Sequence, residues 1–118
     1  MSMRSPTEIK LHQASCVLEV TFDDGCTFKL PGEFLRVQSP SAEVRGHGPG
    51  QETLQTGKKN VGIRSIDAVG NYAIQIMFSD GHNTGIYSWD LLYELGARQD
   101  ELWADYLKKL DAAGMSRE

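Results

Sequence analysis

Two stretches of this chain read alike. Leu18, Val20, Phe22, Asp24 and Gly25 are answered 56 residues later by Ile74, Ile76, Phe78, Asp80 and Gly81. Apolar residues at every second position have the period of a strand with one buried face, and an Asp-Gly pair directly after them signals a tight turn. The likeness runs past the turns, Leu30 and Leu35 matching Ile86 and Leu91. Each half therefore reads strand, Asp-Gly turn, strand, short helix, and a genuine repeat would give the sheet a rough two-fold pattern. Chance is the competing reading, since F-x-D-G ahead of an apolar strand is common turn chemistry. At the matching point after the turn stands Cys26 in one half and His82 in the other.

The remaining segments fit around these hairpins. Residues 8–11 alternate as a further strand, and Pro31-Gly32 closes the first hairpin ahead of a short helical turn over 33–37, stopped by Pro40, whose ring disfavours helix at the residue before it. Residues 45–59 hold Gly46, Gly48, Pro49, Gly50 and Gly57 with hardly any apolar residue, which predicts a mobile loop over about 46–58. Strands are expected at 61–66, at 72–78 with Tyr72, Ile74, Ile76 and Phe78 on one face, and at 84–87. Ser88 is placed to cap a helix ending at Leu95, with Gly96 as its left-handed stop. A second helix over 97–113 carries Leu102, Trp103, Tyr106, Leu107 and Leu110 at helical spacing. The expected fold is α+β: a small antiparallel or mixed sheet of two hairpins with short helices and a C-terminal amphipathic helix packed on it. One domain is expected over 1–118, with its core in about 7–113.

At 118 residues such a chain can bury a real core without disulfide or metal. A net charge of −4, with Lys and Arg dispersed, argues against nucleic acid and anionic membranes as partners. No apolar run approaches membrane-spanning length, and the first residues lack the apolar centre of a secretory signal, so the expected compartment is the cytoplasm. Cys16 and Cys26 match no C-x-x-C motif and are expected as reduced thiols.

Catalytic chemistry finds little support. His12, His47 and His82 form no H-x-D or H-E-x-x-H pattern and show no local spacing for a two-histidine, one-carboxylate iron site. The loop from Gly50 to Lys59 fails as a phosphate-binding loop: six residues separate its glycines, and Lys59 stands where a magnesium-binding hydroxyl belongs. The densest polar segment runs from Asp80 through His82, Asn83, Thr84 and Ser88 to Trp89. Its Gly85, Tyr87 and Trp89 are expected to serve packing rather than ligand binding.

The segment from Phe34 to Glu43, the G-H-G-P-G-Q run over 46–51, the V-G-N-Y-A run over 69–73, and D-G-H with T-G-I-Y-S-W over 80–89 closely resemble the gamma-butyrobetaine hydroxylase-like N-terminal domain family. The resemblance covers about residues 7–110. It implies a domain that stands alone in bacterial proteins of unknown function, and that elsewhere is fused ahead of a 2-oxoglutarate oxygenase or behind an ATPase-type iron–sulfur cluster carrier. In hydroxylase-linked versions, three cysteines in a C-x-C-x-x-C pattern and the histidine of D-G-H hold zinc. Here the matching residues are Ser39, Ser41, Val44 and His82, a degenerate set that lacks the four good donors of a structural zinc site. No metal, cofactor or catalytic residue is therefore expected. An accompanying oxygenase domain is not expected here, so the resemblance implies a fold and a surface rather than an activity.

The expected function is a non-catalytic binding or adaptor module for a protein partner, of the iron–sulfur carrier ATPase type. Its partner-binding residues would be Arg36, Ser39, Ser41, Asp80, His82 and Thr84, with Arg36, Ser39 and His82 on one exposed patch. The alternative is a small-ligand or labile-metal site centred on His82.

Overall fold

The computed structural model describes residues 5–41 and 54–117. Strands β1 (Pro6–His12), β2 (Val17–Phe22) and β3 (Thr27–Pro31) form one antiparallel sheet in that order, and β4 (Ile63–Val69), β5 (Ala73–Phe78) and β6 (Ile86–Ser88) form another. Helix α1 (Gly32–Val37) follows the first sheet; α2 (Trp89–Ala97) and α3 (Gln99–Ala112) follow the second. The fold is α+β, with each hairpin extended to three strands.

The repeat holds at the level of single hydrogen bonds. In the two turns Phe22 N–H donates to the Cys26 carbonyl at 2.8 Å and Phe78 N–H to that of His82 at 3.0 Å. Gly25 and Gly81 take φ of +87° and +90°, a conformation that favours glycine, and Asp24 and Asp80 each accept the N–H two residues on, at 2.9 and 3.1 Å. Both outer strands carry an irregularity at the same place, between Pro6 and Glu8 and between Ile63 and Ser65.

Beyond the second turn the correspondence slips by one residue. Leu18 faces Leu30 across the first hairpin, whereas Ile74 faces Tyr87 across the second. The buried counterpart of Leu30 is thus Tyr87, not Ile86, which is 47% exposed, and the counterpart of Leu35 is Leu92, not Leu91. Equal apolar character at Ile86 and Leu91 had masked one extra residue in the stretch 82–85.

Leu18, Val20 and Phe22 from one sheet meet Ile74, Ile76 and Phe78 from the other in a single core with Leu35, Tyr87 and Leu92. At roughly 1.5–3 kcal/mol for each fully buried large side chain, these residues dominate stability. Tyr72 does not join the Ile74 face: it precedes β5, in the turn at 70–72, and is 54% exposed.

Ser88 caps α2, accepting the Leu91 N–H at 3.1 Å. The helix continues through Gly96 to Ala97, so Gly96 is no terminator. Its missing side chain instead admits Phe28, since a Cβ there would come within 2.2 Å of the ring. Helix α3 sets Tyr106 and Leu110 against Val37 and Leu54, and Leu102 and Trp103 against the main core. Of the loop predicted to be mobile, residues 46–53 lie outside the described residues, whereas 54–58 are anchored. Tyr106 Oη donates to the Gln55 carbonyl at 2.7 Å, and Gly57 N–H to that of Ser116 at 3.2 Å.

Candidate functional site

Two segments far apart in sequence meet at one seam. The end of α1 and the residues after it present Arg36, Ser39 and Ser41; the second Asp-Gly turn presents Asp80, His82 and Thr84. Arg36 Nε donates to Asp80 Oδ2 at 2.9 Å, Ser39 Oγ lies 2.9 Å from His82 Nε2, and Ser41 Oγ lies 2.6 Å from Thr84 Oγ1. All six residues expected to form a site therefore converge; Val44 lies outside the described residues.

Their exposure differs from expectation. Ser39 is fully buried, and Arg36, His82 and Ser41 are 6%, 6% and 7% exposed, leaving Asp80 and Thr84 as the members open to solvent. Polar side chains can be buried when they satisfy one another, and here each segment supplies the other's partners. The expected exposed patch of Arg36, Ser39 and His82 is instead a buried seam. Among the described residues Arg36 Nη1 is a buried side-chain atom without a hydrogen-bond partner.

Gly85 sets the closeness of the seam. A Cβ there would lie 2.5 Å from Ser39 Oγ and 3.2 Å from the Tyr87 ring. Tyr87 is fully buried and donates its hydroxyl to the Leu35 carbonyl at 2.5 Å, tying β6 to α1. Trp89 Nε1 donates to the Asn71 carbonyl at 2.8 Å. Gly85, Tyr87 and Trp89 thus serve packing and bracing.

Asp80 is the electrostatic centre of the seam. Partial burial works to raise its pKa, but hydrogen bonds from Lys58, from the His82 N–H and from Arg36 outweigh that and hold the carboxyl at about 2. Lys58 Nζ reaches the same Oδ2 at 2.9 Å as Arg36. Sequence reading missed Lys58, which carries no local signal. It also missed the counterpart in the first repeat, where Tyr93 Oη donates to Asp24 at 2.6 Å and lies 3.7 Å from Cys26 Sγ. Tyr93 follows Arg36 by the same shifted spacing, so this contact could be read only once the slip was known. Cys16 and Cys26 are free thiols.

As a zinc site the seam is a poor fit. At the positions matching the family's zinc ligands it supplies two neutral hydroxyls, Ser39 and Ser41, and one imidazole, and Ser39 Oγ occupies the position facing His82 Nε2. Among the described residues no three His, Cys, Asp or Glu side chains gather as metal ligands.

Fold and seam together define an α+β module made of two sheet-and-helix repeats that lock onto each other through their turns. The chain belongs to the gamma-butyrobetaine hydroxylase-like, N-terminal family, whose model matches residues 9–93. Two structures determined by NMR in solution are similar to it. One is 50% identical, covering 99% of this chain and 92% of its own, with a TM-score of 0.87; the other is 51% identical, covering 99% and 87%, at 0.84. A crystal structure of a protein of unknown function from Acidithiobacillus ferrooxidans, of the DUF971 family, is 42% identical, covers 79% of this chain and 93% of its own, and has a TM-score of 0.67. No protein of curated function matches the chain.

Proposed function

We propose that the chain is a non-catalytic binding module whose contact surface is formed by Asp80, Asn83 and Thr84 of the second turn and Ile86 at the start of β6, held rigid by the buried seam beneath it. One observation carries this reading: three side-chain bonds from residues 36–41 fix a turn whose Asp80, Asn83 and Thr84 are exposed, as is Ile86 at the start of β6. A surface ordered before contact loses less conformational entropy on binding. The partner-binding set inferred from sequence thereby divides. Arg36, Ser39, Ser41 and His82 position the turn, whereas Asp80 and Thr84, with Asn83 and Ile86, meet the partner. Ile86 adds an exposed apolar anchor beside the polar groups. Burial of the Ser39 hydroxyl weighs against use as a nucleophile, and burial of His82 against a labile-metal or small-ligand site centred on it.

The partner we propose is a protein of the iron–sulfur carrier ATPase type, following the domain fusions that the family resemblance implies. Among the described residues no helix is long and apolar enough to cross a membrane. Titration calorimetry with a purified carrier of that type tests the proposal. Asn83→Lys and Ile86→Asp, both at exposed residues outside the three seam bonds, should each weaken binding at least tenfold at unchanged melting temperature, because exposed substitutions rarely cost more than about 0.5 kcal/mol of stability. A carrier that fails to bind, or binds both variants as it binds the wild type, would refute it.

A further inference from the structure

The segment after α3 turns back onto the molecule. Gly114 takes φ +67°, and the carbonyls of Ser116 and Arg117 accept the N–H groups of Gly57 and Lys59 at 3.2 and 2.9 Å. This path lays the Arg117 guanidinium over Trp103, with Cζ 5.2 Å from the ring centre. It also aims the fork at Glu33: Nε donates to Oε2 at 2.8 Å and Nη2 to Oε1 at 2.7 Å. The Glu33 side chain is 8% exposed and that of Arg117 38%.

An aromatic face beside a carboxylate that accepts both prongs of a planar fork is a guanidinium receptor; a lysine ammonium cannot fill both halves. The receptor is held without help from Arg117. Glu33 belongs to buried α1, and Trp103 on α3 packs edge-on to Phe34 at 6.3 Å and against Tyr106 at 5.3 Å. Its occupant is the more exposed of the two charged partners. Beside the pair opens a cavity of about 250 Å³, lined by Pro31, Phe34 and Trp103 together with the acidic residues Glu33 and Asp100. Without Arg117, two carboxylates would flank an aromatic wall, a setting that favours a cation over an anion or a neutral group.

We propose that Glu33 and Trp103 form an arginine-recognition site in which Arg117 acts as an internal ligand, and that an arginine side chain of a protein partner displaces it, releasing residues 114–117. The site uses none of the residues of the Asp80–Ile86 surface, so the two readings stand or fall separately. An internal ligand competes at a high effective concentration, which makes displacement selective for a partner that offers further contacts.

The probe is N-acetyl-arginine amide, followed through the Trp103 indole N–H resonance of the full chain. In Arg117→Ala it should bind at least tenfold tighter than in the wild type, where Arg117 competes. Adding Glu33→Gln should abolish the shift, and N-acetyl-lysine amide should bind Arg117→Ala at least tenfold more weakly than the arginine probe. A folded Arg117→Ala variant showing no Trp103 shift, or equal binding of both probes, overturns the proposal. Should that variant fail to fold, saturating probe on the wild type must move the Arg117 Nε–H resonance to its free position, and an unmoved resonance overturns it equally.

Discussion

Arg36 and Tyr93 occupy matching positions in the two repeats, and each reaches across to the Asp-Gly turn of the other: Arg36 to Asp80 at 2.9 Å, Tyr93 to Asp24 at 2.6 Å. The braces are alike in geometry and unlike in depth. Arg36 is 6% exposed within the seam, whereas the Tyr93–Asp24 contact is open to solvent. Arg36→Ala should therefore cost about 2–3 kcal/mol, near the lower end for breaking a buried pair because Lys58 still holds Asp80. Tyr93→Phe should cost clearly less. Urea denaturation of both variants decides the order, and equal losses would contradict the asymmetry.

The first brace should also appear in acid. Asp80 has a pKa of about 2 in the fold against an ordinary value of 3.8, so its contribution is complete above about pH 4 and disappears as pH falls through about 2. Discounted for its partial exposure, that contribution is on the order of 1 kcal/mol. Melting temperatures of the wild type and Asp80→Asn should differ at pH 6 and converge toward pH 2. A constant gap across that range would show that the carboxylate charge is not what the seam uses.

The second brace should appear in alkali. The hydrogen bond to Asp24, followed by that to Cys26, pushes the Tyr93 hydroxyl up to about 12. Its contribution is intact below pH 10 and lost as pH rises from 10 toward 12. In a tyrosine ring-carbon titration by NMR, Asp24→Asn should bring Tyr93 back toward 10. An unmoved Tyr93 would remove Asp24 as the cause.

Two glycines permit close approach by different routes. At Gly96, alanine gains about 1 kcal/mol of helix propensity but drives a Cβ into the Phe28 ring. Overpacking of this kind costs about 1–3 kcal/mol, so Gly96→Ala should be destabilising, and Phe28→Leu should relieve part of the loss. At Gly85, alanine should displace Ser39 from His82 and shift the His82 ring resonances while leaving the α2 amides unmoved. A Gly96→Ala variant more stable than the wild type would show that the Phe28 ring swings aside freely.

The features legible in the sequence are those whose causes lie within a few residues of one another. Alternation at Leu18, Val20 and Phe22 and at Ile74, Ile76 and Phe78 reports a buried strand face, Asp-Gly reports a turn needing positive φ, and Ser88 reports a cap. The motifs carried by Ser39, Ser41, His82 and Thr84 also told which segments meet, because the family pattern encodes their convergence. Depth was decided by the tertiary structure. Nothing near Arg36 or Ser39 indicates that a turn 43 or 44 residues away will bury them, and residue polarity by itself pointed to the surface. Gly96 read as a helix end because glycine is neutral between a left-handed stop and a clearance for a neighbouring ring, and only the position of Phe28 distinguishes the two. The slip that pairs Leu30 with Tyr87, the brace from Tyr93 and the seat of Arg117 on Trp103 have the same origin: each depends on packing between segments that share no local pattern. The sequence by itself determined two hairpins, their turns and their helices; which polar side chains became supports and which stayed open to solvent followed from how one repeat closed over the other.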